Sequence, residues 1–252
     1  MIKSIPSLGF VIIYFIITMS FSGDTLLVPV IMYHHIRTAE STDSALLKDL
    51  SLDLQAFKQH LDYLEKRHYR AVTFYELASL VGKQELPSEN IVILTFDDGY
   101  DDNWEAFDEL IKRNMKAVFF ITVASIDKKH HLSRQQLREL SNSGMEIGSH
   151  TQSHVDLTSS NSARLTKEIV GSKQRLEAII GKEVISFCYP SGRYNDNVVK
   201  NVKNAGYKWA RTTNPGINEI SINNYVNKPD NNYRLKILRV HNYTKLEALN
   251  IL

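Results

Sequence analysis

Short apolar runs rich in β-forming residues alternate with amphipathic stretches along the chain after residue 23. Residues 91–94 (Ile-Val-Ile-Leu) are apolar throughout, which is typical of a strand buried on both faces in a parallel sheet covered by helices. Seven or eight such units favour an α/β fold whose sheet closes into a barrel of about seven strands, with an open doubly wound sheet as the alternative. The predicted strands are 28–33, 71–74, 91–96, 117–122, 146–149, 184–189, 207–211 and 237–241, and the predicted helices are 54–68, 103–114, 133–143, 163–180 and 195–204.

Local signals mark the ends of the predicted helices. Ser133 and Gln136 have the spacing of a capping box, and Gly181 follows a helical stretch where a glycine cap is expected. Residues 214–232 are rich in Asn and Pro, which indicates a surface excursion before the last strand and not a domain boundary. We therefore expect a single domain over residues 23–252.

The N-terminus has the pattern of an export signal. Lys3 precedes an apolar stretch over residues 8–19, and small residues follow where a signal peptidase could cut, near Ser22. The pattern predicts a signal peptide over residues 1–22, with an uncleaved membrane anchor as the alternative. The protein is therefore expected to be periplasmic, extracellular or associated with the cell envelope, with possible membrane association through the N-terminus.

Composition adds two limits on function and stability. The 252 residues carry a net charge of +2 without a basic tract, so nucleic acid is not expected as a partner. The chain has one cysteine, Cys188, which excludes an intrachain disulfide. An exported form must therefore be stabilised by its hydrophobic core.

Four polar segments each follow a predicted strand. They are residues 95–100 (Thr-Phe-Asp-Asp-Gly-Tyr), 149–154 (Ser-His-Thr-Gln-Ser-His), 189–192 (Tyr-Pro-Ser-Gly) and 238–241 (Leu-Arg-Val-His). The carboxyl ends of barrel strands face one mouth, where barrel enzymes hold their active sites. Two adjacent carboxylates, two imidazoles, a glycine turn and a late histidine are groups that metal-assisted hydrolysis uses.

Asp97 and Asp98 stand at the end of a buried strand. An ionised carboxylate is costly to bury unless it is paired or bound to a metal, and a nearby cation would remove that cost. Side chains alternate along a strand, so one aspartate can bind the metal while the other addresses its water. A turn with a helix cap is the alternative.

His150 and His154 are four residues apart and could both bind one zinc ion if the segment forms a helical turn. With Asp98 they make a set of two histidines and one carboxylate, which leaves positions open for water and substrate. Capping or surface histidines are the alternative. His34 and His35 also follow a strand. One of them could line the mouth, and the alternative is a hydrogen-bonded structural histidine.

These segments resemble the first two motifs of the polysaccharide deacetylase family, also called the NodB-homology domain or carbohydrate esterase family 4. The residues that carry the resemblance are Thr-Phe-Asp-Asp-Gly at 95–99 and His-Thr-Gln-Ser-His at 150–154. The resemblance runs from residues 28–35 to the last strand and implies a distorted (β/α) TIM-like barrel. The Phe-x-Tyr-Pro-x-Gly pattern at 187–192 is closest to a subset resembling poly-N-acetylglucosamine deacetylases.

The resemblance also implies a role for each matching residue. Metal-activated water would attack an acetyl group while a carboxylate accepts its proton. Tyr189 and Trp209 either form an apolar wall against the acetyl methyl group or sugar, or pack in the core. The implied roles are general base for Asp97, ligands of a divalent metal, usually Zn²⁺, for Asp98, His150 and His154, oxyanion donor for the backbone N–H of Ser191, and proton donor for His241.

Two departures from the family pattern bear on these roles. Many members have an arginine that orients the catalytic aspartate, and this chain has Cys188 at that place. Arg193, Arg211 and Arg239 are candidates to replace it, and the sequence does not choose among them. The aspartate that often tunes the acid histidine is missing near Trp209.

The sequence thus predicts an exported, metal-dependent enzyme that removes N-acetyl groups from amino sugars in a glycan such as an exopolysaccharide or peptidoglycan. Its expected partner is an acetylated polymer that contains N-acetylglucosamine. One alternative is an O-acetyl esterase with the same site. The other is a catalytically weak glycan-binding domain that retains the metal.

Overall fold

A computed structural model describes residues 25–222 and 229–245 of the chain. The predicted leader, residues 1–22, lies outside this range. The helices are α1 (Ala45–Leu50), α2 (Leu54–Lys66), α3 (Phe74–Lys83), α4 (Asn103–Lys112), α5 (Arg134–Asn142), α6 (Ser162–Ile180) and α7 (Asp196–Asn204). The strands are β1 (Thr25–Val28), β2 (Val30–Tyr33), β3 (His35–Ile36), β4 (Ser51–Leu52), β5 (Tyr69–Ala71), β6 (Asn90–Phe96), β7 (Val118–Ile121), β8 (Glu146–Ser149), β9 (Ser186–Cys188), β10 (Trp209–Pro215), β11 (Asn218–Ser221) and β12 (Leu235–Arg239).

Seven parallel strands close into a barrel in the order β2-β12-β10-β9-β8-β7-β6, and pairing of β2 with β6 completes the ring. Strand β5 pairs with the first half of β6, and β2 pairs with its second half. The predicted closed α/β barrel of about seven strands is therefore confirmed, and the open sheet is wrong. Every barrel strand ends at the same mouth because all of them are parallel.

Strand residues alternate between two apolar clusters. In β6, Ile91 and Ile93 belong to the cluster inside the barrel, whereas Leu94 and Phe96 pack with the surrounding helices. This alternation is the period of two that a strand imposes on its side chains. It determines which side chains at the strand ends point into the mouth.

Helix α3 closes the end of the barrel where the strands begin. Its residues Phe74, Leu77 and Val81 belong to the inner cluster, and the Phe74 ring stacks on Trp209 with centroids 5.8 Å apart. A capping box of Thr73 and Glu76 starts the helix. The predicted strand 71–74 is therefore wrong in its second half, because this capping box begins a helix there.

The predicted helix boundaries agree with the structure elsewhere. The capping box of Ser133 and Gln136 starts α5, and Gly181 ends α6 with a φ of +69°. The excursion before the last strand contains β11, which pairs antiparallel with β1. No helix within the described ranges combines the length and apolarity that a membrane span requires.

Candidate metal-hydrolase site

The candidate residues gather at the mouth of the barrel because of strand register. Tyr33 of β2 pairs with Phe96 of β6, so His34 and Asp97 follow at the same level. His150 follows β8 and donates its backbone N–H to a carbonyl of β7. Arg211 of β10 is the Cα partner of Cys188 in β9, one strand away from β8.

Asp98, His150 and His154 bring their ligand atoms within 4.8 Å of one another. The Asp98 Oδ1 atom lies 3.5 Å from His150 Nε2 and 3.4 Å from His154 Nε2. A tetrahedral metal with bonds of about 2.0–2.1 Å keeps its ligand atoms about 3.3 Å apart. The three side chains therefore have the chemistry and spacing that a zinc-type ion requires.

The tautomer of His150 also fits metal binding. Its Nδ1 lies 2.8 Å from the backbone oxygen of Cys188, which accepts the Nδ1 proton and leaves the Nε2 lone pair facing Asp98. Burial lowers the pKa of His150 in spite of the nearby carboxylates, which favours the neutral imidazole that a metal needs.

Four residues of the site have the left-handed backbone that non-glycine residues rarely adopt: Asp98, Thr151, His154 and Ser191, with φ of +71°, +69°, +55° and +52°. Such conformations persist only where the surrounding structure holds them, and they cluster at functional sites. They occur here in both segments that carry the candidate ligands. The turns thus direct the side chains of Asp98 and His154 towards each other, and they do so without the helical turn that was one way to bring His150 and His154 together.

Asp97 forms a buried ion pair with Arg211. Burial alone would raise the pKa of Asp97, but the charge of Arg211 beside it holds that pKa below its usual range. Arg193 instead pairs with Asp156 at 2.8 Å on the surface. Arg211 is therefore the arginine that contacts the candidate base.

Cys188 lies beside this ion pair. Its Sγ is 3.8 Å from Asp97 Oδ2 and 3.9 Å from His150 Nε2, and these three residues form a second group of close ligand atoms. Burial raises the pKa of the thiol well above its usual value. Because Arg211 already neutralises Asp97, this group fits a metal less well than Asp98, His150 and His154 do.

Two further histidines stand near the mouth. His34 Nε2 lies 3.8 Å from Asp97 Oδ2, and burial lowers the pKa of His34. His241 follows β12, and its Nδ1 lies 2.9 Å from both carboxylate oxygens of Asp49. The aspartate missing near Trp209 thus has a counterpart in α1. Nothing local in the sequence indicates this pair, because its members are 192 residues apart.

The remaining candidates are placed differently. Ser191 is exposed in a short 3₁₀ turn at the mouth. Tyr189 is fully buried against the helices, and its hydroxyl donates to the Tyr233 carbonyl at 3.1 Å. Trp209 is fully buried at the other end of the barrel. The geometry therefore corresponds to the core-packing alternative for both aromatic residues, and neither presents a face to a glycan.

Comparison with known proteins gives consistent matches. Residues 84–210 match the family model described as polysaccharide deacetylase. YxkH of Bacillus subtilis, named as a polysaccharide deacetylase, is 33% identical over 75% of this chain and 65% of its own length. The chain thus spans less than two thirds of that relative.

A second relative, the peptidoglycan-N-acetylglucosamine deacetylase of Bacillus cereus, is 34% identical over 54% of this chain and 67% of its own. Among solved structures, the Streptococcus pyogenes deacetylase PplD in complex with acetate superposes with a TM-score of 0.79 at 28% identity. That superposition covers 89% of this chain and 96% of PplD.

Proposed function

Since this chain belongs to the polysaccharide deacetylase family, we propose that it hydrolyses N-acetyl groups of amino sugars in a polysaccharide, with a divalent metal as cofactor. One observation supports the proposal above all others. The carboxylate of Asp98 and the imidazoles of His150 and His154 converge next to a second, buried carboxylate, Asp97. Metal-assisted hydrolysis needs a ligand set with open positions and a separate proton acceptor.

In this proposal Asp98, His150 and His154 hold the metal, and zinc is the ion that these ligands suit. A metal bound there would supply Lewis acidity, which activates water and polarises the acetyl carbonyl. The Nδ1 contact of His150 with the Cys188 carbonyl fixes the imidazole for this role.

Asp97 is the proposed general base. Arg211 lowers its pKa and keeps the carboxylate ionised at neutral pH, so its oxygens are free to accept a proton from the attacking water. Arg211 contacts Asp97 Oδ1 and leaves Oδ2 on the side of His34. Arg211 thus holds the base in one orientation.

The exposed turn at Ser191 is the proposed site of oxyanion stabilisation. A backbone N–H there would donate to the oxygen that becomes negatively charged in the transition state. The turn is held by a hydrogen bond from Gly192 N–H to the Tyr189 carbonyl at 2.8 Å. A preformed donor of this kind does not have to reorganise during the reaction.

His241 is the proposed donor of the proton that the leaving amine needs. Asp49 accepts from its Nδ1 and holds the imidazole ring in one orientation. His34 is the alternative, since it lies closer to Asp97, but burial lowers its pKa and disfavours the protonated form. If His241 is the donor, His241→Asn should reduce amide hydrolysis far more than hydrolysis of an ester with a good leaving group, whereas His34→Asn should affect both reactions alike. If His34 is the donor, the two variants should show the reverse pattern.

We further propose an acetylated glycan of the cell envelope as the substrate, reached after export directed by residues 1–22. Residues 23–252 would then form the deacetylase domain. The described fold accounts for most of that range.

The test is acetate release by the purified protein from N-acetylglucosamine oligomers, measured with a chelator, after adding zinc back, and for Asp97→Asn. We expect the chelator to abolish acetate release and added zinc to restore it. Asp97→Asn should release acetate at least about 100-fold more slowly than the wild type. Release from O-acetylated glycans alone would favour the esterase. Metal and glycan binding without release dependent on Asp97 would favour the binding domain.

A further inference from the structure

Asp102 occupies the N-cap position of α4, yet its side chain makes no capping hydrogen bond. An aspartate at this position normally stabilises its own helix by accepting from the first turn. Here the carboxylate contacts the segment after β2: Oδ2 lies 2.6 Å from His35 Nδ1, and Oδ1 accepts from the Ile36 N–H at 3.1 Å. Asp102 thus makes contacts near the mouth in place of the usual cap on its own helix. Departures of this kind from local sequence rules are typical of functional sites.

The next residue strengthens this connection. Asn103 is fully buried and donates its Nδ2 to the His34 carbonyl at 2.6 Å. Asp102 and Asn103 together fix the backbone that carries His34 and His35. The imidazole of His35 is therefore held both through its backbone and through Nδ1.

The fixed imidazole supports Tyr100. The two rings stack with centroids 3.6 Å apart at an interplanar angle of 23°. On another side, Tyr100 meets His131 with ring centroids 5.3 Å apart, and the two backbones form an antiparallel bridge. Tyr100 is thus held by neighbours from two different segments of the chain.

The side chain of Tyr100 faces that of Asp98, two residues earlier in the same turn, and the Leu132 N–H donates to the Gly99 carbonyl between them at 2.9 Å. We propose that Asp102, His35 and Tyr100 form a positioning relay that holds the Asp98 carboxylate in the orientation a metal ion requires. This inference rests on the proposed function, because it takes Asp98 as a metal ligand. Outer residues that orient ligands in this way commonly change metal affinity by about 10- to 100-fold when they are altered.

The experiment measures the zinc dissociation constant of the full chain by competition with a chromophoric chelator. Tyr100→Phe keeps the stacked ring and removes only the hydroxyl, and Asp102→Asn keeps an oxygen for Ile36. Each variant should bind zinc about 10-fold more weakly, while the melting temperature of the metal-free protein changes little. Tyr75→Phe is the matched control, because its hydroxyl bonds the Glu183 carbonyl away from the mouth.

The outcomes separate this relay from the proposed function. Zinc affinity within twofold of the wild type in both variants would overturn the relay and leave the proposed function intact. A wild-type protein that binds no zinc or other divalent metal would refute the proposed metal site and the relay with it. Equal weakening by Tyr75→Phe would show a general loss of stability and also count against the relay.

Discussion

Glu146 is a buried carboxyl group that the proposed chemistry does not use. It is the first residue of β8, fully enclosed at the end of the barrel opposite the mouth. Its Oε2 accepts from the Tyr75 N–H at 3.0 Å, and its Oε1 has no hydrogen-bond partner among residues 25–222 and 229–245. Burial raises the pKa of Glu146 from 4.5 to about 7.

This shift makes the stability of the protein depend on pH. Because the folded pKa lies above the unfolded one, the contribution is fully present below pH 4.5 and is lost as pH rises through 7. A difference of about 2.5 in pKa corresponds to about 3 kcal/mol of unfolding free energy above pH 7. Glu146→Gln cannot ionise and keeps an oxygen for Tyr75, so it should recover about 3 kcal/mol at pH 8.5 and little at pH 4.5.

Urea unfolding of the wild type and Glu146→Gln at pH 4.5, 6.5 and 8.5 measures this difference directly. Glu139→Gln, an exposed glutamate of α5, controls for the general effect of removing a carboxylate. A stability difference that does not change with pH would refute the reasoning. So would a Gln variant less stable than the wild type at pH 8.5, because the ionised carboxylate would then be favourable at the start of α3.

Three further variants test the site. Arg211→Met leaves Asp97 buried without its cation, so it should abolish activity. It should also lower the unfolding free energy by about 3–5 kcal/mol in urea titrations. Unchanged stability would contradict the ion pair. Gly192→Ala places a Cβ 2.0 Å from Thr213 Oγ1 at a φ of +68°, so it should distort the mouth and reduce kcat, whereas wild-type kinetics would show that the turn adapts. Tyr189→Phe removes one buried hydrogen bond, so it should lower stability by about 1 kcal/mol with KM unchanged, and a raised KM would indicate substrate contact.

The barrel could be predicted because its causes are local. Strands such as β6 are apolar throughout, and the helices between them have a period near 3.6, so the alternation is visible in the sequence. Helix α3 was missed, although Thr73 and Glu76 have the capping-box spacing, because apolar residues of strand-like composition run into it. Closure of α3 against the barrel depends on contacts of Phe74 with Trp209, which no local pattern encodes.

In the site, too, local patterns could be predicted from the sequence and contacts between distant segments could not. Asp98, His150 and His154 could be named as ligands from two short segments, because adjacent residues carry the chemistry. Their roles remain predictions that the metal experiments test. The partner of His241 could not be found, since Asp49 approaches from a helix near the other end of the chain. Pairing between distant segments is decided by the folded geometry and not by spacing.

The pair of Arg211 and Cys188 explains how a missing motif residue can be replaced. A buried carboxylate requires a cation within contact distance, but it does not require that cation to come from a particular strand. Arg211 and Cys188 are Cα partners on neighbouring parallel strands, so an arginine at either position can reach the same inner space. At position 211 the guanidinium packs over Phe120, with its carbon 5.2 Å from the ring centroid, and bonds Asp97. The short side chain of Cys188 then leaves room for the arginine, which accounts for the cysteine at the position where many family members have an arginine.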